Sequence, residues 1–143
     1  WGEIETKSKY DESNSKTYDR RMSDISGNST YDVASAKWGG SWRLPTEKEL
    51  IELTNNCEWE WTTQNGIKGY KVTGPNGNSI FLPAAGYRDG SSLSRAGKRG
   101  IYWSSSPYES NDLNAYYMGF NSSGHGVHWY YRNYGQSVRP VSE

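Results

Sequence analysis

Trp38-Gly39-Gly40-Ser41-Trp42-Arg43-Leu44-Pro45-Thr46-Glu47-Lys48-Glu49 closes one helix and opens the next. Gly39-Gly40 ends a short helix predicted over 30–38, on which Tyr31, Val33, Ala34 and Trp38 share a buried side. Pro45 to Glu49 reads as a capping box. The Thr46 hydroxyl accepts from the first free amides, and Glu49, three residues on, reaches back to it. Leu50, Ile51 and Leu53 supply the apolar face of this second helix. From Gly66 onward the pattern is β. Tyr70–Thr73 and Ser79–Leu82 flank Gly74-Pro75-Asn76-Gly77-Asn78, a hairpin whose Asn-Gly pair suits positive φ. A Gly- and Ser-rich loop carrying Arg88, Arg95, Lys98 and Arg99 runs to Gly100. Ile101-Tyr102-Trp103 begins another strand, two more are predicted at 115–121 and 125–131, and 136–141 alternates polar and apolar residues as a closing strand. Helices first and strands afterwards predict an α+β fold with two short helices and mainly antiparallel sheets.

The chain has 143 residues, most simply a single domain over 1–143. Residues 1–28 are polar and read as an irregular surface segment laid over it. Sixteen basic and sixteen acidic residues cancel, so no nucleic-acid footprint stands out. Hydrophobic residues make up 33% of the chain, yet aromatics reach 15%, with seven Trp and twelve Tyr, which argues against disorder. No apolar run is long enough to insert in a membrane, and no signal peptide is visible. Because the chain starts at Trp1 without a Met, it is expected to be a mature or trimmed fragment. The single Cys57 excludes an intrachain disulfide.

Residues 108–134 are crowded with Tyr, His, Asn, Ser and Gly, and their only charges are Glu109, Asp112 and Arg132. Tyr gives large amphipathic contact area at low entropy cost, and Ser, Gly and Asn give adaptable hydrogen bonds, as in a paratope. The same composition also suits loops and edge strands, and the two readings stand side by side. Strand alternation places Tyr116, Met118 and Phe120 on a core face and Tyr117, Gly119 and Asn121 outward. In the next strand, Val127 inward turns His128 and Tyr130 outward and sends Trp129 and Tyr131 in. Exposed rings on neighbouring strands make a patch suited to a partner.

Four ordered blocks, Trp38–Thr46, Phe81–Gly90, Tyr102–Ser106 and Gly135–Val141, make the sequence resemble the Fibrobacter succinogenes major paralogous domain, found in Bacteroidetes and their phages. The resemblance implies a C-type-lectin-like fold of the formylglycine-generating-enzyme type. It points further to variable proteins of diversity-generating retroelements, in which Asn codons are rewritten at adenines to give Tyr, Ser, Asp, His, Gly and Asn. On that resemblance Tyr108, Ser110, Asn111, Asp112, Asn114, Tyr117, Gly119, Asn121, His125, His128, Tyr130, Tyr131, Asn133 and Tyr134 are the variable, ligand-contacting residues. Ala115, Phe120, Val127 and Arg132 are scaffold, and Glu109, Met118 and Trp129 lie outside adenine rewriting. Tyr131 is claimed by both faces: alternation turns it inward, the family pattern outward.

Other chemistries find little support. His125 and His128, three apart on a strand, point to opposite faces and do not meet one metal ion without a bend. The Glu-Pro-Asn and Trp-Asn-Asp motifs of calcium-dependent lectins are absent, a formylglycine-generating activity needs a pair of cysteines, and no Gly-x-Ser-x-Gly elbow positions a nucleophile. No cofactor is expected. The cationic 88–100 loop reads as solvated surface rather than an anion site, and Trp42, Trp59, Trp61 and Trp103 read as packing residues. The expectation is a non-enzymatic binding protein at a cell surface, outside the cell or on a phage virion. Its partner is a protein or glycan on another cell or particle. An undiversified cell-envelope domain that packs its aromatic segment on a neighbour is the alternative.

Overall fold

The computed structural model describes residues 1–143. Two helices come first, α1 (Val33–Trp38) and α2 (Glu47–Asn56). Then follow β1 (Glu58–Gln64), β2 (Ile67–Thr73), β3 (Ser79–Pro83), β4 (Tyr87–Asp89), β5 (Ser92–Ser94), β6 (Gly100–Pro107), β7 (Asn114–Asn121) and β8 (Gly124–Tyr131). They form antiparallel sheets in the orders β1-β2-β3, β4-β5 and β6-β7-β8. The chain is therefore α+β with two short helices and antiparallel sheets, as the pattern of elements predicts.

The Thr46 box forms in full. The Thr46 hydroxyl accepts from Glu49 N at 3.3 Å, and Thr46 N donates to Glu49 Oε2 at 2.8 Å. Arg43 completes the box by gripping Glu49 with both guanidinium arms, at 2.8 and 2.7 Å. That grip holds the Glu49 carboxyl at about 2, below its ordinary 4.5. A depressed folded-state value adds stability above the unfolded value and loses it as pH falls through the folded one. The Glu49 side chain is 36% exposed, so screening limits the contribution to ~1 kcal/mol. Acid titration of stability should therefore show a decline between pH 4.5 and about 2 that Glu49→Gln flattens. Identical profiles for the two proteins in that window would refute the assignment.

The β6-β7-β8 sheet has a core on each side. Leu50 of α2, Tyr70, Val72 and Leu82 of the first sheet, and Tyr102, Met118 and Phe120 make one. Trp1, Ile25 and Leu44 close the other over Ile101, Trp103, Ala115 and Tyr117. Alternation thus sorts side chains between two interiors rather than between core and water, which corrects the outward placement of Tyr117 and Gly119; both are buried. The N-terminal segment, expected to lie on the surface, is irregular but supplies Trp1 and Ile25 to that second core. Trp1, Thr17 and Ile25 are buried, and the Trp1 indole N–H donates to the Ser104 carbonyl at 2.8 Å.

Other expectations are corrected as well. β structure begins at Glu58 rather than Gly66, because Asn65 (φ 50) and Gly66 (φ 78) form a tight turn joining β1 to β2. The 88–100 segment is not wholly loop, since it carries the β4–β5 hairpin. The last stretch is no continuous strand. Gly135, Ser137 and Val141 make single bridges to Arg88, Tyr102 and Arg43 in turn, and Pro140 offers no amide to extend a ladder. Trp38 is 58% exposed and Trp42 43%, because α1 buries only Ala34 among its residues and the chain beyond Gly39 turns along the surface.

Candidate functional site

β7 and β8 pair along their whole length, with Tyr117 opposite His128, Ala115 opposite Tyr130, and Gly119 opposite Gly126. The two glycines decide what this face looks like. A Cβ at Gly119 would come within 2.7 Å of the Tyr117 ring, and one at Gly126 within 3.2 Å of the His128 imidazole. Both rings therefore lie down over a bare stretch of backbone instead of standing upright in water. Tyr117 is buried for this reason, and it meets Trp103 edge-on from the core side at 6.4 Å between centroids.

On the outer side the rings continue as a connected row. Tyr117 lies 6.1 Å from His128 and 6.3 Å from Tyr130, Tyr130 lies 4.8 Å from Tyr134, and Tyr134 lies 5.8 Å from Tyr87. Tyr130 and Tyr131 remain more than two-fifths exposed. Burial together with the Tyr130 hydroxyl raises Tyr134 to about 12, and burial raises Tyr117 against the opposing pull of Arg99. At neutral pH Tyr117 and Tyr134 therefore present neutral phenols, fit for hydrogen bonding and stacking.

The opposite face of β8 differs from its expected inward course. Trp129 is 50% exposed and Tyr131 43%. α2 packs beside β8, and Glu47, Ile51 and Thr54 line a depression with His125, Gly126 and Val127. Past that point Tyr108 stacks parallel to Trp129 at 4.6 Å, and Tyr116 meets both edge-on. The Tyr116 hydroxyl donates to the Glu109 carboxylate at 3.0 Å. β8 is the sheet's edge, and Trp129 stays half exposed on it.

The remaining candidates scatter. Ser110, Asn111 and Asp112 sit in the loop before β7, where Asn111 Oδ1 accepts from Leu113 N. Asn121 Oδ1 accepts from Ser123 N and shapes the β7–β8 turn. His125 stacks on Trp59 at 4.1 Å, and burial lowers its pKa. Asn114 and Asn133 are buried, and the Asn114 carbonyl accepts from Arg132 Nε at 2.9 Å. Their interior placement corrects the expectation that each presents its side chain to a ligand. Asn133 and Tyr134 also border the largest depression, about 570 Å³, between the N-terminal segment and the 133–138 stretch. No cluster of three or more His, Cys, Asp or Glu side chains is arranged for a metal.

Four residues on the Tyr117 face lie outside the 108–134 window: Tyr87, Arg99, Ile101 and Gln136 line one small cavity with Tyr117 and Tyr130. Arg99 had a sequence signal, the cationic loop, which reads as wet surface rather than as a site.

The site defines the class of this molecule as an α+β domain with a connected row of rings on an edge hairpin. The chain belongs to the family described as a domain of unknown function, DUF8237, whose profile matches residues 44–141. Every candidate residue falls within that match. Comparison with curated proteins and with solved structures gives no match.

Proposed function

We propose that this domain is a non-enzymatic recognition module that holds a macromolecular partner, a protein or a glycan, against the β7–β8 hairpin. The observation that supports this reading is the connected row His128, Tyr130 and Tyr134, laid on the floor that Tyr117, Gly119 and Gly126 build. Large rings at a sheet edge give binding energy by burial, with the hydroxyls and imidazole giving direction. The scaffold is read as C-type-lectin-like, a reading with which two helices and antiparallel sheets agree, and the hairpin as a segment diversified by a retroelement. Display at a cell surface, outside the cell or on a virion follows from that role. A reverse transcriptase gene beside a near-copy of the 3′ end that differs at adenines would support diversification, and its absence would count against it.

A binding screen with the intact domain identifies the partner, and the variant Tyr130→Ala/Tyr134→Ala then tests the face. Affinity should fall by more than about thirtyfold while the thermal midpoint moves by only a few degrees. Undiminished binding would refute the assignment. Tyr117 is left unchanged in this variant, because its ring belongs to the core and its loss confounds folding with binding.

A further inference from the structure

The outer edge of β8 is one half of a hydrogen-bond ladder. The turn at Ser122-Ser123 pairs Asn121 with Gly124, and Arg132 N donates to the Leu113 carbonyl, so in between Gly126, His128 and Tyr130 are the β8 residues that bond to β7. The backbone N–H and C=O groups of His125, Val127 and Trp129 therefore point away from the sheet, and none of them meets a partner in the chain. They recur about every 6.8 Å, the repeat of an extended strand. α2 packs on the face of the sheet that holds Met118 and Phe120 and makes one wall beside this edge. Glu47, Ile51 and Thr54 border a depression of about 240 Å³ there with His125, Gly126 and Val127. Two carboxylates flank the same stretch. Glu47 lines the depression, and Glu109 accepts from the hydroxyl of Tyr116, whose ring meets Trp129 edge-on. Neither acid enters an ion pair. Burial and the charge of Glu109 raise the Glu47 carboxyl against the pull of Lys48.

Within the recognition reading, on which this inference rests, we propose that β8 takes an extended segment of a partner protein as a fourth strand, with a lysine or arginine of that segment set against Glu47 and Glu109. An extended backbone answers the open ladder group for group, and a glycan has no such repeat of donors and acceptors. A second copy of β8 answers the ladder too, but it carries no lysine or arginine, so self-pairing leaves both acids without a counter-charge. Side chains of the added strand alternate between the two faces. Those on the α2 side meet the exposed Ile51 and Trp129, and those on the other side meet Tyr130. A basic side chain on the α2 side lays its alkyl stem on the indole and brings its charge to the carboxylates.

Selection of random linear dodecapeptides on the intact domain, followed by titration and hydrogen exchange with the tightest one made synthetically, tests this. Selected peptides should be enriched in Lys or Arg within an alternating apolar stretch. Binding should slow exchange of the Val127 and Trp129 amides by about tenfold or more. Methylating alternate backbone nitrogens of the peptide should abolish binding for one set and spare it for the other, because only one set faces β8. Val127→Pro removes an outward amide without touching the β7 ladder and should weaken binding by about tenfold or more. Glu47→Gln/Glu109→Gln should weaken it by about threefold or more. No peptide binding below about 1 mM, unprotected Val127 and Trp129 amides, or equal effects of the two methylated sets would each overturn the added strand. An unaffected Glu47→Gln/Glu109→Gln would overturn the basic residue. Dimers in which those two amides are protected without any peptide would overturn the proposal in favour of a second copy. A screened partner that Tyr130→Ala/Tyr134→Ala releases and Val127→Pro keeps, or one that is a glycan, would overturn strand addition alone. A partner that both variants keep would overturn the recognition face as well.

Discussion

Asp32→Ala should destabilise the domain by about 4 kcal/mol, one of the two largest effects expected of any single substitution. The Asp32 side chain is fully buried, and its two oxygens collect four backbone amides. Oδ1 accepts from Ala34 N at 2.9 Å and Ser35 N at 3.2 Å, capping α1. Oδ2 accepts from Gly27 N and Leu44 N, both at 2.9 Å, and so binds the segment before α1 to the one after it. Alanine leaves these donors without a partner, two of them away from any helix end that water could solvate. Each buried unpaired amide costs ~1–3 kcal/mol, and part is recovered by relaxation. Asp32→Asn keeps one acceptor oxygen for the α1 cap and turns an NH₂ group on Gly27 and Leu44, so it should fall between alanine and the native protein. Urea unfolding measures all three. An alanine variant within about 1 kcal/mol of the native protein would show the carboxylate to be dispensable.

Arg132→Ala is expected to do comparable damage, ~3–5 kcal/mol. Its guanidinium is the largest side chain wholly enclosed in the fold. Nε donates to the Asn114 carbonyl, and Nη1 donates to those of Thr17 and Arg20. The group lies 4.7 Å from the Trp1 ring centre, and the Trp1 backbone nitrogen donates to the Arg132 carbonyl at 2.8 Å. One residue of the 108–134 segment thus fastens the N-terminal segment to β7. Alanine leaves a cavity and three carbonyls short of a donor. Arg132→Lys keeps the charge but not the fork, and should recover less than half of the loss. Hydrogen exchange sharpens the test: in Arg132→Ala, amides near Thr17 and Trp103 should exchange faster at temperatures where the fold persists. Unchanged exchange there, with an unchanged urea midpoint, would mean that the clasp contributes nothing.

What the sequence reveals depends on how local the cause is. α2 is readable because Thr46 and Glu49 satisfy its first amides within four residues, and helix and box appear where expected. β1 was equally readable in principle: Trp59 and Trp61 alternate with Glu58 and Glu60 before Asn65-Gly66, a tight-turn pair. Tyr117 and Trp129 were not readable by alternation. The period tells which residues share a face, but not that Trp1 and Ile25 cover one face while α2 stops short on the other. Asp32 resembles a turn residue until the fold brings Leu44 to it. The cationic loop around Arg99 does not mark it out from Arg88, Arg95 or Lys98, because its standing depends on the Tyr117 ring arriving from a different strand.

β8 carries its rings at a sheet edge, and Gly124–Tyr131 contains neither a full charge nor a proline. The devices that commonly keep an open strand from recruiting another chain are therefore missing from it. A surface fit to hold a partner is, for the same reason, a surface on which copies of the domain stick to one another when concentrated. On the recognition proposal, solubility and binding draw on the same few side chains, and substitutions that improve one are set to erode the other.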